Sequence, residues 1–399
     1  MPRLIPAVHE ECDIEVSVIV PAHNAGTHLE NCLSCLQASV GCRYEILVVD
    51  DASTDHTRKI ALQMGAYVVQ LQTKSGPAAA RNSAVGQCRG KDLAFIDSDV
   101  LVTEDVLQQL RDALKDASVA AVFGSYDTCP KARNFVSVFK NLMHHFFHQR
   151  SAGNARTFWS GCGAIKKNIF EDIGGFDERF SLPGVEDIEL GMRLTERGHS
   201  IILDPSIQAK HTKKWTLKSL MYTDIFRRGI PWTRLMLNRD GLYDRLNTSR
   251  GQRASVLLAG IMALMTCIIS VLNPLFAFAP IFVFLLLLVS DYLSAKDGIR
   301  KPVLTISAVI LVSGSLLYLI YEPLTLSLAF FALMILIINV SSCVFLLRTE
   351  GVAFVVMSLP LHLLYYFYCG LAFAAGALCH WLKLPLFPNQ KGTKGSINM

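Results

Sequence analysis

Charge is scarce in this chain. Asp, Glu, Lys and Arg make up 18% of its 399 residues, and a formal balance of +5 is too small to mark a surface built for nucleic acid, so no nucleic-acid polymer is expected as a partner. Cysteine pairing is also wanting. The 11 cysteines are odd in number and offer one close pair in the first half, Cys32 and Cys35, which supports neither a secreted disulfide framework nor a paired zinc site. That pair falls on an amphipathic helical pattern and reads as core packing. The N-terminal MPRLIPAVHEECDIE is too polar and acidic for a signal peptide, so the first half is expected to stay in the cytosol.

Apolar residues are plentiful, at 51%, and unevenly spread. The break falls near Arg253, so the expected organisation is a tail over 1–14, a catalytic domain over 15–212, a basic amphipathic interfacial segment over 213–253, a transmembrane domain over 254–382 and a tail over 383–399. Apolar runs at Ala254–Leu272, Leu275–Ser290, Val303–Ile320, Leu324–Leu347 and Val352–Cys379 are each near the length that crosses about 30 Å. Lys213, Lys214, Arg227, Arg228, Arg250 and Arg253 gather ahead of the first run, where cytoplasmic charge belongs. A fifth crossing would put Lys383, Lys391 and Lys394 outside, and Pro360 could instead fold the last run into a re-entrant hairpin; four and five crossings both stay open. The expectation is a multi-pass integral membrane protein with a cytoplasmic catalytic domain.

From Glu15 to Gly124, β-branched runs alternate with helical patterns, as in an α/β sheet with covering helices. Strands are expected from Val16, Tyr44, Tyr67, Asp92 and Val119. Helices fit around His28–Ala38, Asp55–Met64, Pro77–Gln87 and Thr103–Asp116, with Asp55 and Thr103 as caps. Further helices fit Arg133–Arg150 and Glu186–Glu196, and the regular pattern fades after Asp204. Sheets of this kind bind ligands outside the carboxyl ends of their strands. Asn24, Asp50, Asp51, Asp97 and Asp99 all lie at such ends, and acids there call for a cation. Asp97-Ser98-Asp99 suits the task, one carboxylate for a ribose and the other for a hard cation that also meets phosphate. Arg81, in the loop and helix ahead of that strand, could meet a phosphate.

The order and spacing of VIVPAHNAG, VVDDAST, the Gly76–Asn82 segment and Asp97-Ser98-Asp99 resemble the nucleotide-sugar domain of family 2 glycosyltransferases, over roughly Val16–His211. The resemblance implies a GT-A fold, a Rossmann-like mixed sheet followed here by transmembrane helices. It further implies that Pro21, Asn24 and Asp50, with Asp51 beside it, line the nucleotide, that Asp97 meets the ribose and phosphate region, and that Asp99 binds Mg²⁺ or Mn²⁺. FWSGCGAIKK and GGFDE also look like family features, with Gly161, Cys162 and Gly163 near the acceptor. Glu186-Asp187 matches the family's second acidic motif. Asp187 is then the base, taking the acceptor's proton as its oxygen attacks the anomeric carbon, with inversion, and Glu186 orients it or fixes a loop.

His211 could complete the metal site or face solvent among lysines. His144, His145 and His148 share a helix face that could look to a membrane, an acceptor or a metal. Processive relatives carry Gln-x-x-Arg-Trp on an interfacial helix, whereas this chain has Phe-Arg-Arg-Gly-Ile-Pro-Trp over Phe226–Trp232. A single transfer from a nucleotide-sugar, UDP being the family's common carrier, to a lipid or lipid-linked acceptor is therefore expected, with Arg227, Arg228 and Trp232 at the acceptor. A nucleotidyltransferase would need a Gly-rich basic loop after the first strand, which PAHNAGTHLEN does not supply. The remaining alternative is an inactive scaffold or transporter component.

Overall fold

The computed structural model describes residues 13–239, 249–272, 285, 288 and 322–384. The first half is one nine-stranded mixed sheet. β1 (Val16–Ala22) lies between β2 (Tyr44–Asp51) and β4 (Asp92–Ile96), parallel to both, and β3 (Tyr67–Leu71) extends this side. Helices α1 (Leu29–Gln37), α2 (Thr57–Gln63) and α3 (Pro77–Val85) make the crossovers. Beyond β4 the sheet turns antiparallel: β8 (Cys162–Lys166) pairs β4 and then β6 (Val119–Tyr126), and β6 runs parallel to β9 (Ser200–His211). Short strands β5 (Val100–Val102) and β7 (Gly153–Ala155) both pair β9 antiparallel. Helices α4 (Val106–Leu114), α5 (Phe135–Arg150), α6 (Lys167–Asp172) and α7 (Glu186–Glu196) cover the faces.

The core follows from strand pattern. Val18, Ile19 and Val20 are fully buried, as befits a strand covered on both faces, while α4 buries Val106, Leu107, Leu110 and Leu114 at helical spacing. The five expected strands and the helices between them are present. The caps differ by one or two residues: α2 and α4 start after His56 and Asp105, and Thr103 donates to the Asp105 carboxylate at 2.6 Å instead of capping.

β9 corrects the sequence reading, which saw regularity fade after Asp204. Its pairing with β6 shifts register between Phe123 and Ser125, so Leu203 faces Phe123 while Gln208 faces Ser125. The intervening residues, Pro205 among them, bulge out of the ladder, where a missing N–H is tolerated. Gly124 makes room for that bulge, since a Cβ there would lie 2.2 Å from the Ile207 carbonyl oxygen.

After the sheet, α8 (Leu217–Tyr222), a π-helical turn (Thr223–Gly229) and α9 (Ile230–Asn238) occupy the first part of the expected interfacial segment. Four apolar helices follow among the described residues: α10 (Arg250–Leu272), α11 (Glu322–Ile338), α12 (Val340–Glu350) and α13 (Val352–Trp381). By itself α13 is long and apolar enough to cross a membrane, and α11 with α12 qualifies as a pair bent by 74°. The expected straight span Leu324–Leu347 is thus broken at Asn339. That side chain donates to Ser255 Oγ at 2.9 Å and accepts from the Tyr366 hydroxyl at 2.6 Å, tying the bend to α10 and α13. The expected span Ala254–Leu272 lies within α10, and Leu275–Ser290 and Val303–Ile320 lie almost wholly outside the described residues.

Pro360 does not fold α13 into a hairpin; the helix is continuous through it. Ser358 Oγ donates to the Val355 carbonyl at 2.8 Å and His362 Nδ1 lies 3.2 Å from the Ser358 carbonyl, so side chains bind carbonyls around the proline. Small residues then bring α13 against the π-helical turn and α9. A Cβ on Gly229 would sit 2.6 Å from that of Ala372, and one on Gly376 2.7 Å from that of Thr233.

Candidate active site

The carboxyl ends of β1, β2 and β4 open on one edge of the sheet because the three strands are parallel neighbours. At the first two ends, Asn24 and Ala52 hold φ of 50° and 52°, a left-handed conformation that costs a residue with a Cβ about 1–2 kcal/mol. Cross-loop bonds sustain it. The Asn24 N–H donates to Ser53 Oγ at 3.0 Å, and Asn24 Oδ1 accepts the Thr54 N–H at 2.8 Å. Pro21, paired with Val49, sits just below this loop pair.

Asp50 and Asp51 are buried. Asp50 accepts the Ser53 N–H at 3.0 Å, closing its own turn. Asp51 accepts the N–H groups of Ser75 at 2.6 Å and Gly76 at 2.9 Å, so its carboxylate holds the loop ahead of α3. Gly76 needs to be glycine there, with φ of 90° and the Ser181 carbonyl oxygen 2.1 Å from where a Cβ would be.

Arg81, on α3, joins the two acidic motifs. Its buried guanidinium donates to Asp97 Oδ1 at 2.7 Å and to Glu186 Oε1 at 3.1 Å. The sequence suggested a phosphate contact for Arg81; the structure shows its guanidinium paired with these two carboxylates. Glu186 also accepts the Gly184 N–H at 2.8 Å, fixing the loop that leads into α7. Its place is therefore beside the arginine, orienting the turn on which Asp187 stands.

Asp187 opens α7. One oxygen accepts from the Ile188 N–H at 2.8 Å; the other accepts from the Ser160 N–H at 3.1 Å and its hydroxyl at 3.3 Å. Burial, joined by the Glu186 charge and opposed by Arg81 and Ser160, pushes its carboxyl up to about 7. Ser160 lies in the FWSGCG stretch and was not singled out from sequence. Burial also pushes the Asp97 carboxyl up, against the pull of Arg81.

Asp99 and His211 are brought together because β5 pairs β9 with Val100 opposite His211. His211 Nε2 lies 3.7 Å from Asp99 Oδ2. Burial alone would lift Asp99, but the His211 ring, then Lys213 and His28, outweigh it and hold the carboxyl below its ordinary range. Thr212 pins the same corner, its N–H and hydroxyl both 2.9 Å from the Asp99 carbonyl oxygen. His211 is buried, stacking on Tyr126 at 4.6 Å, so it is no solvent-facing residue. One carboxylate and one imidazole fit a hard divalent cation whose remaining ligands are substrate oxygens. Among the described residues no group of three or more His, Cys, Asp and Glu converges on a point, so a cation here would need them.

The histidines of α5 turn toward the sheet. His145 Nδ1 lies 2.6 Å from the Tyr126 carbonyl, and His148 Nδ1 lies 3.0 Å from that of Gly124. Burial pushes His148 down to about 4. His144 packs on the Tyr126 and Trp159 rings at 4.4 and 4.9 Å, closing an aromatic wall with His211.

Gly161, Cys162 and Gly163 are all buried in or beside β8. The two glycines make space for the chain's own rings: a Cβ on Gly161 would lie 2.6 Å from the Trp159 indole, and one on Gly163 2.9 Å from the Phe158 ring. Cys162 is in the core, and burial pushes its thiol up to about 12. Internal packing is thus reason enough for glycine at both positions.

Arg227 and Arg228 lie on the π-helical turn. Arg228 is 3.5 Å from Asp224, and Arg227 lies over the Tyr222 ring at 5.6 Å. The turn is pressed against the loop that leads into α7, since a Cβ on Gly184 would sit 2.1 Å from the Arg227 carbonyl oxygen. Trp232 packs with Phe180, Val185 and Met192 beside α7. Asp224, missed from sequence, is buried and accepts from Lys140 at 3.0 and 3.2 Å and from the Tyr368 hydroxyl at 3.0 Å.

Residues 17–174 match the profile of glycosyl transferase family 2, and residues 141–214 match that of the N-terminal domain of galactosyltransferase. Glycosyltransferase AglE of Haloferax volcanii is 27% identical over 198 residues, which are 47% of this chain and 63% of that protein. The O-antigen chain rhamnosyltransferase WbaN of Salmonella anatum is 25% identical over 232 residues, 54% of this chain and 73% of that one. The chain thus spans less than two thirds of the length of AglE. Among solved structures, the mannosyltransferase PcManGT from Pyrobaculum calidifontis in complex with GDP-Man and Mn²⁺ is similar at 20% identity. That match covers 83% of this chain and 88% of the other, with a TM-score of 0.45. Residues 17–174, most of the mixed α/β domain with its edge of acids, thus form a glycosyl transferase family 2 domain.

Proposed function

We propose that the chain is a membrane-bound inverting enzyme that transfers a sugar from a nucleotide-sugar to a lipid or lipid-linked acceptor, one unit at a time. The observation that carries this reading is the buried Arg81, which holds Asp97 and Glu186 together and so fixes Asp187 beside the donor acids. A carboxyl of about 7 is suited to take a hydroxyl proton near neutral pH. Asp187 accepts the proton of the acceptor hydroxyl as its oxygen bonds to the anomeric carbon, and the bond from that carbon to the diphosphate breaks on the opposite face. Configuration inverts. Asn24, Pro21 and Asp50 line the nucleotide, with Asp51 holding their neighbouring loop, and Asp97 faces the ribose and phosphates.

Asp99 and His211 would hold Mg²⁺ or Mn²⁺, which when bound neutralises charge on the departing diphosphate. Arg227, Arg228 and Trp232 stand where the π-helical turn meets the loop ahead of Asp187, and an α13 lying in a bilayer would bring an acceptor headgroup to them. The two arginines meet its phosphate.

The test is turnover of UDP- and GDP-sugars by the detergent-solubilised chain with extracted lipids, with and without Mn²⁺. Asp187→Asn should lower the rate about 10²–10⁴-fold while nucleotide still binds. Asp99→Ala should abolish the metal response. Folded protein that binds and turns over no donor would return the chain to the scaffold reading.

A further inference from the structure

A second cavity lies away from the acids, with which it shares no residue. It has a volume of about 420 Å³ and sits between the end of α5, the first turn of α10 and the bend between α11 and α12. Phe146, Phe147 and Ile338 give it apolar lining, and Arg150, the Ser341 hydroxyl and the start of α10 add donors. No carboxylate lines it among the described residues.

The first turn of α10 is arranged around this space. Ser249 Oγ and N–H both donate to Gln252 Oε1, at 3.2 and 3.0 Å, forming a cap that leaves the amide's other end unused. Gln252 is 6% exposed, lines the cavity, and its Nε2 has no hydrogen-bond partner. A buried NH₂ group without a partner costs about 1–3 kcal/mol, which an acceptor atom from a ligand would relieve. The 23-residue helix adds its positive end at the same place, and Gly251 there carries no side chain to cover it. Arg150 lies over the Phe146 ring at 5.4 Å, leaving its charge at the mouth.

We propose that this cavity binds the phosphate of a lipid headgroup, with the acyl chain running along Phe146, Phe147 and Ile338. An anion is selected because Arg150 brings positive charge, Gln252 an unused NH₂ group and α10 its N-terminal end, with no carboxylate among the lining residues. An amphiphile is selected because Phe146, Phe147 and Ile338 line the same space in hydrocarbon, at the bend between the apolar helices α11 and α12. The site rests on α13 lying in a bilayer and is independent of sugar transfer.

Native mass spectrometry of the full chain in neutral detergent tests this, with dodecyl phosphate, dodecanol and inorganic phosphate as separate probes. Dodecyl phosphate should bind. Arg150→Ala should weaken it about tenfold, the effect of one lost charge-assisted contact. Ser341→Phe, at an exposed position in the mouth, should remove it without lowering the unfolding temperature. Arg228→Ala should leave this binding intact while weakening any second phosphate bound near the acids. Equal binding of dodecanol would overturn the phosphate, equal binding of inorganic phosphate would overturn the lipid, and indifference to both cavity substitutions would overturn the site.

Discussion

The edge of the sheet and the junction beneath it hold their carboxylates in different ways. At the edge, Asp50 and Asp51 are gripped by backbone N–H groups and Asp187 by two of them with the Ser160 hydroxyl added, while the Arg81 side chain serves both Asp97 and Glu186. At the junction, Asp224 is gripped by side chains alone: Lys140 from α5, Tyr368 from α13 and Arg228 from its own turn. Backbone donors are positioned by the fold itself and lose little freedom on use. Side chains from three elements must be assembled first, so the junction holds only while the apolar helices are docked.

Removing the shared clamp is the severest way to break that contrast. Arg81→Met leaves the buried Glu186 and the partly exposed Asp97 without their cation, a change expected to cost about 3 kcal/mol, most of it at Glu186. Unfolding of the solubilised protein should register it, and Arg81→Lys should recover only part, since one ammonium cannot make both forked contacts. A mild loss with Met would mean that backbone donors alone suffice at this edge.

Tyr368→Phe addresses the junction. It removes one hydrogen bond to the buried Asp224, expected to cost about 1.5–3 kcal/mol, and the loss should appear as weaker docking of α13 in limited proteolysis. Gly184→Ala then probes the seam between the regions. The new methyl would meet the Arg227 carbonyl oxygen at 2.1 Å, so the loop that leads into α7 or the π-helical turn must move, at about 1–3 kcal/mol. Because Glu186 holds the Gly184 N–H, kcat should fall more than donor affinity. An unchanged kcat would show that the seam is slack.

These same features mark how far the sequence could be read. The strand-end acids were legible because a parallel sheet sends its carboxyl ends to one edge, and their positions follow from the pattern of β-branched runs. The pairing of Asp99 with His211 was open because it depends on β9, whose bulge at Pro205 hides its second half from periodicity. Arg81 was visible as a charge near phosphate-binding motifs, but its pairing with Glu186 spans 105 positions, a distance no local pattern reports. Asp224 looked like one more polar residue of a basic segment. Only the approach of Gly229 to Ala372 explains why a carboxylate there is dry.

The finest test of the contrast is electrical. If Asp187 is the base, the rate must fall as it takes up a proton, so kcat/KM should be flat above about pH 7 and drop about tenfold per unit below it. Burial and Glu186 set that limb high, and Arg81 holds it down, so Arg81→Lys, with its charge less closely matched to the two acids, should move it upward. Tyr368→Phe should not move it, because no group at the junction features among the causes that shift Asp187. A limb that followed Tyr368 as well would join the two regions in one electrostatic unit, and the distinction between backbone-held and side-chain-held acids would then describe their stability without describing their chemistry.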